Sequence, residues 1–592
     1  MNKTEKIISL VLAAALAWCF WTTFESKKEA ARREAGRRTA EMARTVAAGE
    51  ETAQAGKASG AAPATPEAAV PQTAAQPEKP QKKLSPEKTA VLENGELCLV
   101  ATTRGGAVKR ATLKQYPERP GEVSESNPAV EFDYSASPLG SLEGVDGADD
   151  FAIESAASNK VVFSNSAMKR TIELCGDYEV KITDEFPADG VPAGENAMSL
   201  GAMAMGAGKD DILSVDSWAA GADGGAVVHH GDDDSPLKPL LAGMLAGGGC
   251  GACGAPRQAA GMPLSQTVAI QGPQNWIALK NRFFATALAS STQGNAGFRA
   301  LVRRNAASAA YRPESVSAQA VFAGGVQRRE SVFFIGPKKL SLLWRLGLRD
   351  VMEFGMWRWI CYPVVWLLVA FHGVAPSYGL AIILLTILVR LVFWPLTRKS
   401  TEGMKKMQEI QPLVKEMQAK YKDNPQRLQQ ETWALYRERK VNPLSSCLPM
   451  FVQIPVFIAL FNVLRSAVEL RYAGFLWIAD LSAPEGLFPS VFPFGGLNIL
   501  PLAMAATMFL QSKLTPTAGD QSQQRMMTVF MPLMMLVMFY NFASALSLYW
   551  TVSQCLSIVQ MWMIRRQSAV AAAGAAEGAS RAPVTRQMRR HS

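Results

Sequence analysis

The run Tyr378 to Thr397, YGLAIILLTILVRLVFWPLT, decides the fold. As a helix it is long enough to cross the ~30 Å of bilayer hydrocarbon, and it is almost wholly apolar except for Arg390. A permanent cation at such depth costs about 2.5–3.5 kcal/mol, so it marks a functional site by default. Such an arginine snorkels, pairs with a carboxylate on another helix, or faces water. No Asp or Glu lies inside the other apolar spans, which points Arg390 toward a wet cavity.

Apolar runs flank this segment on both sides. Met356 to Val374 carries Arg358, Pro363 and His372, leaving an uninterrupted apolar core of interfacial or re-entrant length. Further spans are expected at Leu444 to Arg465, Leu497 to Ser512 and Met527 to about Gln560, the last folding back near Asn541 to Ala545. An N-terminal segment, Ile7 to Phe24, follows Lys3 and Lys6 and ends in Trp18, Cys19, Phe20 and Trp21. That bulk, with no A-x-A site, favours a retained anchor over a cleaved signal peptide. The expected total is six spans.

Loop charge orients them. Residues 398–442 carry eleven Lys or Arg against six Asp or Glu, and Arg565, Arg566, Arg581, Arg586, Arg589 and Arg590 follow the last span. Both read as cytoplasmic. The basic start of the segment after the anchor (Lys27, Lys28, Arg32, Arg33, Arg37, Arg38) points the other way, but long translocated domains obey loop charge weakly. Within 398–442, Met404, Met407, Ile410, Leu413, Val414 and Met417 recur at helical spacing. Tyr421 to Pro425 breaks the run, and Leu428, Trp433, Leu435 and Tyr436 resume it, which predicts an antiparallel helical hairpin.

The 592 residues are 48% hydrophobic with a mean hydropathy of +0.04, too long for one domain and too apolar for a purely soluble chain. The net charge of +10 clusters beside the spans, where anionic lipid is a nearer partner than nucleic acid. Residues 25–88 are rich in Ala, Pro, Glu, Gln, Lys and Arg without periodicity, the composition of a tether.

From 89 to 335 short alternating runs such as YEVKITDEF, QTVAIQG and ESVFFIG, broken by Gly, Asn and Asp, predict a β-sandwich. Ser235 to Leu264 looks inserted and carries Cys250-x-x-Cys253, with His229 and His230 upstream. A zinc site from these four lacks the usual His spacing, so a local disulfide, a metal site and no special role stay open. Cys98, Cys175, Cys361 and Cys555 lie in strand-like or apolar runs, where a small buried hydrophobe is the default.

Motif runs add a resemblance. Lys440-Val441-Asn442-Pro443-Leu444 with Cys447, Pro449, Gln453, Pro455 and Phe457 is similar to a core span of the YidC/Oxa family of membrane protein insertases. So are FLWIADLS from Phe475, MFLQSKLTPT from Met508, MTVFMP from Met527, LYWTVSQ from Leu548 and the VRLVFWPLT around Arg390. TRGG from Thr103 and WIALKNRFFATAL from Trp276 resemble the family's bacterial periplasmic domain. Asn541 to Ala545 departs from the family's Pro-Ser-Gly turn, and the Cys-bearing insertion is a second departure.

The resemblance implies a multi-domain inner-membrane protein: an anchor (1–24), a linker (25–88), a periplasmic all-β sandwich (89–335) and an amphipathic interfacial region (336–377). A five-span α-helical core (378–565) and a basic cytoplasmic tail (566–592) complete it. It further implies a groove open to cytoplasm and lipid, lined by Arg390, Thr386, Gln511, Tyr549 and Trp550, with core packing an equal role for the two aromatics. The implied partners are nascent membrane proteins, lipid, the Sec translocon, and the ribosome through the tail and cytoplasmic loops, with no nucleic-acid substrate, no cofactor and no catalysis. The Met-rich fifth span (Met526, Met527, Met531, Met534, Met535, Met538) suits either a promiscuous apolar surface or plain lipid contact. An anion transporter would lack its inverted repeat here, and a sugar-acting exterior enzyme would have only His229 and His230 for acid–base work.

Overall fold

Alternation of apolar and polar residues builds strands wherever one face is buried. The computed structural model describes residues 86–204, 213–219, 226–231, 265–304, 313–422, 424–439, 441, 448–489, 496–514 and 526–580. The expected anchor and tether, the Cys250–Cys253 insertion and the end of the basic tail lie outside the described residues. Strands run in chain order as β1 (Thr89–Glu93), β2 (Leu97–Thr102), β3 (Ala107–Pro117), β4 (Ala129–Asp133), β5 (Leu142–Glu143), β6 (Ala152–Ala156), β7 (Lys160–Ser164), β8 (Lys169–Leu174) and β9 (Glu179–Glu185). They continue as β10 (Asn196–Ala204), β11 (Ser214–Ala219), β12 (Ala226–Gly231), β13 (Ser265–Gln271), β14 (Trp276–Lys280), β15 (Phe284–Ser291), β16 (Asn295–Arg304), β17 (Pro313–Phe322) and β18 (Arg328–Pro337).

Three antiparallel sheets form: β1-β2-β3-β4, β13-β16-β17-β10-β5 and β12-β11-β14-β15-β18-β9-β8-β7-β6. The five-stranded sheet lays β10 and β17 on β11, β14 and β15 of the nine-stranded one, and Phe298, Phe322, Phe333 and Phe334 fill the interior. At the bulge between Ser199 and Ala202, Gly201 sits at φ +88 with the Tyr134 ring so close that a Cβ would fall 2.5 Å from it. Register places Asp184 on β9 opposite Arg170 on β8 and Arg329 on β18. The three charges are buried together: Arg170 Nε donates to Asp184 Oδ1 at 2.6 Å and Arg329 Nη2 to Oδ2 at 2.8 Å. Burial pushes the Asp184 carboxyl up, but the two guanidinium groups outweigh it and hold it below the usual carboxylate range.

The helices follow: α1 (Leu340–Arg345), α2 (Arg358–Val374), α3 (Tyr378–Val392), α4 (Trp394–Lys420), α5 (Pro425–Glu438), α6 (Leu448–Ser466), α7 (Ile499–Leu514), α8 (Met531–Phe539) and α9 (Ser544–Ser580). In α2 the spacing of Cys361, Val364, Val365 and Leu368 buries one stripe, while Trp359 and Trp366, each 68% exposed, face outward. A helix forms within the Met356 to Val374 run, but its outward side also carries large apolar side chains. The α4–α5 hairpin closes on a small cluster of Met407, Ile410 and Val441 with Tyr436, and Asn424 caps α5 by accepting from Arg427 N–H at 3.1 Å. Trp433, read into the apolar stripe, points out instead.

Among the described residues no helix is long and apolar enough to cross a membrane. The expected span at Tyr378 to Thr397 divides at Phe393, because Pro395 offers no N–H and its ring would meet the carbonyl four residues back; it is accepted only in the first turn of α4. The long last run folds back between Phe539 and Ser544, where Ser544 N–H and Oγ–H both donate to the Ala483 carbonyl. Cys361 is buried as expected, but Cys98 is half-buried and Cys175 and Cys555 are exposed, since each of the last two sits on the outward side of its run.

Two compact units divide the chain: Leu84–Glu485 with Ile499–Ser592, and a second that includes Gly486–Asn498. In the latter, Leu487 and Leu497 pair through both backbone hydrogen bonds, and Gly486 N–H donates to Asn498 Oδ1 at 2.8 Å. Within the larger unit the sandwich joins the helices by reciprocal arginines. Arg282 donates to the carbonyls of Arg465 (2.8 Å) and Ser482 (2.6 Å), and Arg471 to that of Pro117 (2.9 Å). Lys280, buried beside them, pairs with Asp216 and with Glu353 at 2.9 Å. Burial pulls its ammonium down, and the two carboxylates outweigh that and raise it.

Candidate functional site

Ser377 caps α3 by accepting from Leu380 N–H at 3.4 Å, and the helix then buries Gly379, Ala381, Ile382, Leu385 and Thr386 against its neighbours. α3 packs on α2 and on α9, and α9 in turn on α6 and α7. Arg390, in the last turn of α3, is half-buried in this setting. Its Nε–H donates to Ser553 Oγ at 3.1 Å, and an Nη2–H reaches the same oxygen. Among the described residues no carboxylate pairs with it, so the ion-pair alternative has no partner here.

Ser553 is buried on α9 one helical turn after Tyr549, which places both on one face. Tyr549 is 1% exposed, accepts from Gln453 Nε2 of α6 at 2.9 Å, and lies within electrostatic reach of Arg390. A polar strip thus runs from α3 through α9 to α6: Arg390, Ser553, Tyr549, Gln453. Ser553 and Tyr549 are buried among the helices, and in such surroundings a hydrogen bond to a charge gains strength.

The other residues expected in the groove are placed differently. Thr386 is fully buried, and its hydroxyl donates to the Ile382 carbonyl at 2.7 Å, one turn back in its own helix. Trp550 turns into an aromatic cluster, edge-on to Phe457 at 4.9 Å and tilted on Phe539 at 5.7 Å. Gln511 is half-buried on α7. Ser553 and Gln453 are the members that sequence reasoning did not assign to the site. The four-residue step from Tyr549 to Ser553 was the available signal for one, and nothing in one dimension pairs Gln453 with Tyr549. His229 and His230 lie in β12, where their backbones face Asp216 and Val215 across the ladder. Cys250 and Cys253 are outside the described residues, and among those described no cluster suited to a metal occurs.

Comparison with known proteins places the chain. The family described as 60Kd inner membrane protein matches residues 370–571, and the YidC periplasmic domain matches 261–367. Membrane protein insertase YidC of Syntrophobacter fumaroxidans is 41% identical over 310 residues, 50% of this chain and 55% of that protein. The namesake of Syntrophus aciditrophicus is 44% identical over 239 residues, 40% of this chain and 42% of that one. The chain therefore spans about half the length of these two relatives. A solved structure titled "Active YidC insertase crystal structure with the first transmembrane domain resolved" covers 81% of this chain and 94% of its own at 17% identity and a TM-score of 0.33. A putative aldose 1-epimerase from Escherichia coli K12 covers 42% of this chain at 9% identity and a TM-score of 0.23. Membrane protein insertase YidC of Prosthecochloris aestuarii is 31% identical over 507 residues, 81% of this chain and 83% of that protein, and on this extent of likeness the chain belongs to the YidC family of membrane protein insertases.

Proposed function

We propose that the chain inserts integral membrane proteins into a bacterial inner membrane and assists their folding, alone or with a Sec translocon, using the polar strip around Arg390. In this reading the chain crosses the membrane six times and the strip lies on three of those spans, with the sandwich on the periplasmic side and the α4–α5 hairpin and tail in the cytoplasm, where the ribosome meets them. The observation that carries it is the company Arg390 keeps. Its guanidinium is served by a serine hydroxyl instead of a carboxylate, so the cation stays uncompensated and available to an incoming acidic or hydrated group. A polar strip part-way down an apolar bundle shortens the apolar path that a translocating tail must cross, and the helix that follows the tail leaves sideways into lipid. No covalent step is required.

The sequence reading put Thr386, Gln511, Tyr549 and Trp550 along the groove, with core packing an equal role for the two aromatics. Of these, Tyr549 has the strongest support, through its place beside Ser553 and Gln453. The purified chain in liposomes, given one single-span substrate and no nucleotide, tests the reading. Protease protection of the substrate tail inside the vesicles is the expected result; anion flux without protection would favour a transporter.

A further inference from the structure

The loop after α6 ends in a tight hairpin tip. Phe475 and Ile478 exchange both backbone hydrogen bonds at 2.9 Å, which leaves Leu476 and Trp477 as its two turn residues. Leu476 stands at φ +54, a left-handed conformation that two-residue hairpin tips usually give to Asn or Gly. Here the tip holds two large apolar side chains instead, 76% and 46% exposed.

The chain fixes this tip firmly. The Phe475 ring lies in a notch over Gly379 in the first turn of α3, so close that a Cβ at residue 379 would fall 2.0 Å from it. Trp477 Nε1–H donates to Glu485 Oε2 at 2.8 Å. The same carboxylate accepts from Ile499 N–H at 3.0 Å and Leu500 N–H at 2.6 Å, the open donors at the start of α7. The tip is therefore held level with the beginnings of both α3 and α7. An indole whose N–H is satisfied and whose ring stands clear is the side chain found at the boundary between headgroups and acyl chains.

We propose that Leu476 and Trp477 form a lipid anchor: the tip beds in the headgroup–acyl boundary of the leaflet at the starts of α3 and α7, and through Phe475 and Gly379 it fixes the height of α3, and so of Arg390, in the bilayer. The proposal rests on the reading of α3 and α7 as membrane-embedded.

Spin labels in the full-length chain test it, on a background with the native cysteines replaced by alanine that is first shown to insert substrate. Leu476→Cys is labelled in proteoliposomes of phosphatidylethanolamine and phosphatidylglycerol, and collisions with oxygen and with a water-soluble nickel chelate are compared. Val91→Cys, exposed on β1, supplies the aqueous reference, and Val537→Cys, exposed on α8, the lipid reference. Residue 476 is expected between the two, with oxygen favoured over nickel. Access equal to that at residue 91 would overturn the anchor, as would exclusion of both reagents with dipolar broadening, the mark of a second copy docked on the tip. If Leu476→Cys disturbs the turn, Trp477→Cys reports from the other tip residue. Aqueous access at residue 537 as well would mean that the membrane reading, not the tip alone, has failed.

Discussion

Arg390 keeps its charge at any physiological pH, so its substitutions separate charge from shape. Arg390→Lys retains the cation and loses the fork, and is expected to preserve much of the insertion. Arg390→Leu removes a charge-assisted hydrogen bond of about 1.5–3 kcal/mol, and is expected to slow substrates with acidic translocated tails roughly tenfold or more while sparing uncharged tails. A reconstituted assay with paired acidic and neutral tails decides this; equal loss on both would make the arginine structural. In the sandwich, Asp184 bridges Arg170 and Arg329, and Asp184→Asn leaves two buried cations facing a neutral amide. Breaking such a cluster costs about 3–5 kcal/mol, visible as a lowered melting temperature in near-ultraviolet circular dichroism. Because the native carboxyl lies below its ordinary value, its contribution is present above the unfolded value and fades as pH falls through the folded one, so wild type and variant should converge in acid. Lys338 is displaced downward as well, but there the charged form is the one that burial disfavours. Burial, with Lys280 adding to it, pushes its ammonium down to about 7. The unfolded chain then binds more protons between pH 7 and about 10, so sandwich stability should rise with pH across that window, and Lys338→Met should abolish the rise.

At the scale of elements, Gly379 sets how closely the loop after α6 can approach α3. Gly379→Ala puts a methyl into the Phe475 ring, and overpacking of this kind costs about 1–3 kcal/mol. The double variant with Phe475→Ala should lose less than the sum of the single losses in thermal unfolding of the solubilised chain; additive losses would show that the notch is not a contact. The elements themselves were largely legible. α2 falls within the interrupted run Met356 to Val374, and the hairpin turns at the break read from Tyr421 to Pro425, so α2, α4 and α5 fall where the pattern puts them. The strand runs YEVKITDEF, QTVAIQG and ESVFFIG likewise became β9, β13 and β18. β10 was not legible, because NAMSLGAMA is buried on both faces and does not alternate. The break at Phe393 was missed because hydropathy continues through it, and only the ring of Pro395 interrupts the backbone ladder.

At the scale of the molecule, the polar strip lies within the helices, and the sandwich meets them through Arg282, Arg471 and Lys280. Deleting most of residues 90–320 while keeping the stretch from Phe333 leaves the Arg465 and Ser482 carbonyls to water, a small cost for exposed acceptors. Insertion by the truncated chain is therefore expected to continue, measured in the same liposomes; its complete loss, with the chain stable in the membrane, would move function into the sandwich. The sequence by itself determined that an arginine sits within an apolar helix, that a β-sandwich precedes it and that a helical hairpin follows it. These are statements about one dimension, since a repeat of 2 or 3.6 residues tells which face of an element is apolar. It does not tell what that face meets. That Ser553, 163 residues away in sequence, receives the Arg390 guanidinium, that Thr386 turns its hydroxyl onto Ile382 and that Trp550 joins Phe457 and Phe539 were decided only by the tertiary structure. Crossing angle, register and the space left between packed helices choose the neighbour, and these are properties of pairs of elements, not of either sequence alone.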